Sequence, residues 1–343
     1  MKKNKKYALI ISAAAVVVGL GIAAGAVGSA FVGRDTGAVG TTQFDRDTGT
    51  VAESKSALNA LDTRNLQARS YTVDEEFSSV KIVESSSNVY ILPTKDKTCR
   101  VECYEGEKTH YDVRVENDTL NITRRDRHNF IEFGIFSEAP LTVYLPENEY
   151  DAIDVSTASG DVEFGGAFTA DKVNIDTASG DMSVSSLSCK KLTADGASAD
   201  IELNNVDCEE LSARTTSGEI ELADIRAREV SAKSTSGDID LRNVRTDSLK
   251  TTTSSGEVEL ENVLVDGKMS LESTSGDIGL ERCDAAELKI SSTSGSVYGS
   301  LLTGKTFIAH STSGDIDIPR TDNGGRCEVS TTSGDITLFV GSK

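Results

Sequence analysis

A chain of 343 residues with net charge −20, 37% hydrophobic residues, 5% aromatic residues and no tryptophan has the length for two ordinary domains or one elongated repeat domain. Its acidity excludes nucleic acid as a partner and disfavours close adsorption to anionic lipid. With three histidines, His110, His128 and His310, and no Gly-x-Ser-x-Gly elbow, Walker loop or His-Glu-x-x-His pattern, catalysis has no motif to rest on.

Residues 1–6 carry Lys2, Lys3, Lys5 and Lys6, and residues 7–33 form an uncharged run rich in Ala, Val, Ile and Gly. That run is long enough to cross the ~30 Å hydrocarbon core. It also exceeds the roughly 7 to 15 residue core of a cleaved signal peptide, so a retained transmembrane anchor is expected over a signal peptide with Gly28 and Ala30 as the small residues before its cut. The positive-inside rule leaves the basic tail in the cytoplasm and everything after Arg34 outside. Without the four tail lysines the exported part carries −24 instead of −20. Residues 34–70 contain Arg-Asp-Thr-Gly twice and few apolar residues, the composition of a linker or stalk, with a short helix around Ser54 to Leu66.

Residues 71–152 read as an irregular first coil and cap. Val80, Ile82, Ser87, Val89 and Ile91 fit the repeat described below, with Ser87 in its glycine position. Alternating strands follow from about Pro93 to Tyr150, as a terminal repeat that hides strand edges requires. Arg124, Arg125, Arg127 and His128, followed by Phe130, Phe133 and Phe136, make a basic, aromatic patch in an acidic, aromatic-poor chain. Either the aromatics close the end of the stack, or Arg124, Arg125, Arg127, Phe130 and Phe133 bind a ligand such as an anionic envelope polymer or a lipid headgroup.

From residue 153 to 343 one phrase recurs around pivot positions Gly160, Gly180, Ala199, Gly218, Gly237, Gly256, Gly276, Gly295, Gly314 and Gly334, each 19 or 20 residues after the last. A constant period means stacked units, none able to bury its apolar face alone. Two and four residues after the pivot stand apolar pairs such as Ile201 and Leu203 or Ile239 and Leu241, the period of a strand with one buried face. Another apolar residue (Val206, Val244) follows an Asn or acidic turn, and a second strand ends on an inward hydroxyl such as Thr215 or Ser234. The alternation slips by one residue between that hydroxyl and the next strand, so a bulge or corner with special backbone angles is the expected reason for glycine. Equal periods place equivalent strands side by side in parallel, and such connections are right-handed. The expectation is an all-β, right-handed parallel β-helix, or β-solenoid, of about ten 19–20-residue coils behind an N-terminal transmembrane helix.

The residue after the pivot is acidic in nearly every coil: Asp161, Asp181, Asp200, Asp238, Asp277, Asp315 and Asp335 are joined by Glu219 and Glu257. Stacked like charges need hydration, bases or a bridging cation, for which Ca²⁺ is the candidate metal. The competing reading is that each turn aspartate caps backbone amides. Cys189 and Cys208 hold the same position in successive coils, a separation that a disulfide spans, whereas Cys99 and Cys103 lie too far apart along one strand.

The Thr-Ser-Gly-Asp-Ile-x-Leu phrase, as in Thr274 to Leu280, resembles a bacterial putative-adhesin family of unknown function, the toast-rack β-strand repeats, over about residues 71–343. Members with one N-terminal membrane segment are similar to LiaG-type proteins of cell-envelope stress operons. The resemblance implies a surface-exposed, non-enzymatic module for adhesion or envelope-stress interaction, and it supplies no cofactor or ligand residues. Partners expected are the membrane, through the anchor, and an envelope polymer or membrane protein. The alternatives are a glycan-acting β-helix enzyme and a Ca²⁺-stabilised structural spacer.

Overall fold

A computed structural model describes residues 66–107, 109–126, 139–321 and 323–341. Contacts divide the chain into two units, and the fold described is that of the unit formed by Gln67–His128 and Glu138–Lys343. Among the described residues every regular element is a strand, and together they form an all-β solenoid of about nine turns. The expected anchor at 7–33 and residues 34–65 of the expected 34–70 linker lie outside the described residues, whereas residues 67–70 are not linker but part of a strand, Gln67–Val73, held by antiparallel pairing with Cys99–Glu105. Within those described, no helix is long and apolar enough to cross a membrane.

Parallel stacking follows from the repeat itself. Ile201, Ile220, Ile239, Val258, Ile278 and Val297 stand in register from strand to strand on one face. Leu211, Val230, Leu249, Met269 and Leu288 do so on another. All point into one continuous core, each contributing about 1.5–3 kcal/mol through burial. The corner between the faces is turned by Asn205, Asp224, Asn243, Asn262 and Arg282, with φ of 53–56°, a left-handed conformation that Asn and Asp tolerate best. Their side chains form their own ladder: Asn262 Nδ2 donates to Asn243 Oδ1 at 2.8 Å, and Asn243 Nδ2 to Asp224 Oδ1 at 3.0 Å.

At the pivot the cause of glycine differs from the expected one. None of the pivot glycines has φ in the left-handed region. The constraint is contact between coils, since a Cβ added at Gly218, Gly237, Gly256, Gly276 or Gly295 would lie 1.7–2.0 Å from the carbonyl oxygen of the preceding pivot. The inward hydroxyl locks this approach. Thr215 Oγ1 accepts the Gly218 N–H at 3.1 Å and donates to the Ala199 carbonyl at 2.9 Å, and the same bridge recurs at Ser234, Thr253 and Thr331. Ala199 is the informative exception. Where the pivot carries a methyl, the hydroxyl position is Gly196, whose own Cβ would sit 2.7 Å from that of Ala199. The two side chains compete for one space.

The N-terminal end departs from sequential order. Strands β1 (Gln67–Val73), β2 (Ser79–Val83), β3 (Val89–Thr94), β4 (Cys99–Glu105), β5 (Thr109–Glu116), β6 (Thr119–Asp126), β7 (Leu141–Pro146), β8 (Glu149–Thr157) and β9 (Val162–Thr177) build it. The β2–β3 coil, with Ser87 above Gly160, lies between β6 and β8 on one face and between β7 and β9 on the other. Outside it β5 pairs antiparallel with β6, and β1 and β4 continue antiparallel from β7. Antiparallel strands interrupt the stacking template.

The C-terminal end corrects the expectation that coils pile up in chain order. Gly325–Thr331 and Ile336–Val340 insert between the coil of Gly295 and the coil of Gly314. Leu288 stands beside Cys327 and Val297 beside Ile336, while Phe307 takes the outer side of Cys327 and Ile316 that of Ile336. The physical reason lies in the displaced coil. Its first-face strand is only Ile316–Asp317 before Pro319, and a proline strand belongs at an edge. Its second strand carries the inward, buried Lys305, paired with Asp284 at 2.5 Å, a charge that discourages further strand addition.

Candidate functional site

The acidic row is built into the backbone. Asp161, Asp181, Asp200, Asp238 and Asp277 each present Oδ1 to the N–H of the corresponding residue in the next coil, at 2.7–3.0 Å. Because of the inserted coil, Asp335 serves Asp315 in the same way at 2.8 Å. Among the described residues no group of three or more His, Cys, Asp or Glu side chains is arranged to hold a metal ion.

Of the basic patch, Arg124 lies inside the cap. Its guanidinium meets Glu84 Oε1 at 2.9 Å and Asp126 Oδ1 at 3.0 Å, and donates to Ser87 Oγ at 3.0 Å. Glu84, whose side chain is fully buried, also accepts the Tyr111 hydroxyl at 2.7 Å. Burial pushes Asp126 upward, but hydrogen bonds from Arg124, Thr109 and Ser85 outweigh it and hold the carboxyl below its usual range. Arg125 is exposed, 3.8 Å from Asp112. Arg127, Phe130 and Phe133 lie outside the described residues.

Cys189 and Cys208 stack in adjacent coils, between the paired positions Ser188/Asp207 and Lys191/Glu210. The thiols are unpaired, and a hydrogen bond between them, reinforced by burial, pushes Cys208 upward. Burial holds Cys99 and Cys327 near 12, so neither supplies thiolate. Exposure to oxidised glutathione is therefore expected to join Cys189 to Cys208. The half-exposed Cys189 sulfur exchanges first with the glutathione disulfide, which ends the hydrogen bond that is the main cause holding Cys208 upward; Cys208 Sγ, stacked beside it, then displaces the bound half, and two glutathione thiols leave. Peptide mass mapping that instead finds another pair, or both thiols unchanged, contradicts this.

The repeat breaks once on the outer face of the first strands, and the break makes a groove. Three residues after the pivot the outward row runs Glu202, Glu221, Asp240, Glu259, then Gly279 and Tyr298. Gly279 clears the surface, and the Tyr298 ring lies over it, where an added Cβ would be 3.1 Å from the ring. The Tyr298 hydroxyl donates to Glu259 Oε1 at 3.2 Å, fixing the ring while 41% of the residue stays exposed. Gly299, at φ 142°, replaces the inward Leu of other coils; beyond it Ser300 Oγ accepts the Arg282 N–H at 2.9 Å. The recess of about 450 Å³ is walled by Asp240, Arg242, Glu259, Glu261, Glu281 and Arg282, with Phe339 at its end. Arg282 reaches Glu261 at 2.6 Å and also pairs with Glu281, and Arg242 pairs with Glu221. Burial, with Glu219 and Glu259 nearby, pushes Asp240 up to about 6. Sequence analysis centred on the repeat passes over this site; its signal is the pair of departures, Gly279 and Tyr298, in a row otherwise mostly charged.

The chain matches the Toastrack DUF4097 family over residues 77–264 and 229–342, and it belongs to that family. Among solved structures it is similar to a putative adhesin from Bacteroides fragilis NCTC 9343 (16% identity, 80% of this chain and 98% of that one, TM-score 0.42). A second is a putative adhesin from Parabacteroides distasonis ATCC 8503 (14%, 78% and 96%, 0.49). A third, from the same strain, is named a putative lipid binding protein (14%, 80% and 97%, 0.40). No curated protein matches the sequence.

Proposed function

We propose that this protein is an adhesin-like interaction module of the cell envelope, held by the 7–33 segment with its solenoid outside the cytoplasm, and that it binds without catalysing a reaction. The observation that carries this reading is the division of labour in the repeat. Inward positions are spent on one core and the acidic row on capping the next coil, which leaves the outer faces as the part able to meet a partner. A rigid solenoid behind a membrane segment suits presentation of such a face at a distance from the bilayer. The basic tail and apolar run support the orientation. Protease treatment of intact cells carrying a C-terminal tag tests the placement. Digestion of the tag with retention of the residual segment in the membrane is expected; a protected tag, or one released with the whole chain into the medium, overturns it.

A further inference from the structure

We propose that the groove over Gly279 is a carbohydrate-binding site in which a pyranose ring stacks on Tyr298. This deepens the reading of the solenoid as an envelope-facing module and rests on it. Three features of the groove converge.

The first is the platform. Carbohydrate C–H faces pack on aromatic rings, and such a ring is worth most when it is already held in its bound orientation. Tyr298 is held twice, by the bare Gly279 backbone beneath it and by Glu259 at its hydroxyl.

The second feature is the wall, in which fixed acceptors and donors alternate as a polyhydroxylated ligand requires. Glu261 and Glu281 are oriented by Arg282, which in turn is oriented by them; Asp240 and Glu259 face each other across adjacent strands. Charge-assisted hydrogen bonds from such preorganised groups exceed neutral ones.

The third is extent. The recess crosses five strands spaced ~4.8 Å apart, from Asp240 to Phe339, and each step is comparable with one sugar of an extended chain. Phe339 stands beside Ser300 only because the last coil is inserted there; in chain order the neighbouring strand would be that of Ile316–Asp317. The excess of carboxylates over guanidiniums disfavours phosphate-bearing polymers and favours neutral or amino sugars. The groove is too shallow and too charged for an acyl chain.

The test uses the full chain in detergent, titrated with cello-oligosaccharides and with chitosan oligosaccharides and read by tryptophan-free tyrosine fluorescence and calorimetry. Binding of at least one set is expected, weakened about tenfold or more by Tyr298→Ala and largely retained by Tyr298→Phe. Gly279→Val, which displaces the ring, is expected to weaken binding similarly. Circular dichroism melts identify any variant that has lost its fold. Equal affinity of wild type and Tyr298→Ala, or no binding of either glycan, overturns the groove assignment while leaving the protease result on placement untouched. Release of new reducing ends would show turnover and overturn a purely binding role.

Discussion

Gly237→Ala is expected to destabilise the solenoid by more than about 4 kcal/mol, the range reserved for severe core or backbone conflicts, or to prevent folding. The added methyl would sit 1.8 Å from the Gly218 carbonyl oxygen and 3.0 Å from the Glu219 nitrogen. Both are backbone atoms, so no rotamer change relieves the clash. Separating the two coils would lengthen the ladder on both faces. Ser234→Gly alone removes a buried hydroxyl that bridges Gly237 N–H and the Gly218 carbonyl, at a cost of about 1–3 kcal/mol. The double variant reproduces the native Gly196/Ala199 arrangement and is expected to be more stable than Gly237→Ala. Urea denaturation of the four proteins measures the coupling. A Gly237→Ala protein within about 1 kcal/mol of wild type would show that close approach is not what selects glycine.

Arg124→Ala carries the second large effect, a loss of about 3–5 kcal/mol, because it strands a buried carboxylate. Glu84 then keeps the Tyr111 hydroxyl and the Ser85 N–H as donors but no longer has its counter-charge. The neighbouring Arg125→Ala is expected to change stability by less than about 0.5 kcal/mol, since its partner is distant and solvated. Replacing both buried partners, Glu84→Leu with Arg124→Met, is expected to recover much of the loss. Similar losses for Arg124→Ala and Arg125→Ala would mean that the buried network does not hold the cap together.

The repeat was legible because its physics is local. Apolar residues at alternate positions, a hydroxyl before the pivot and an Asn at the corner each act within one coil or on the next, so a 19-residue window contains the whole instruction. What was not legible depends on competition between distant segments. Nothing near Gly334 states that it will enter between Gly295 and Gly314 instead of following Gly314 in the stack. That choice depends on Pro319 and Lys305 making a neighbouring coil the better edge. Arg124 illustrates the same limit. Its surroundings in sequence are basic and aromatic, yet its partner Glu84 lies 40 residues earlier, and only the fold brings them together. Gly279 and Tyr298 were visible as letters, but their meaning appears when adjacent strands place one ring over one bare backbone.

Insertion of the Gly334 coil also changes how the stack can be assembled and taken apart. In a stack built in chain order, the final turn is the one that frays and the one most readily trimmed. Here Gly325–Thr331 is hydrogen-bonded on both sides, and Ile336–Val340 is paired along its length on one side and at Ile336 and Thr337 on the other. The coil of Gly314, which precedes these strands in sequence, must therefore wait, or step aside, until they have been threaded beneath it. Deleting residues 325–341 would remove an interior storey, leaving the coil of Gly314 without the surface on which it rests.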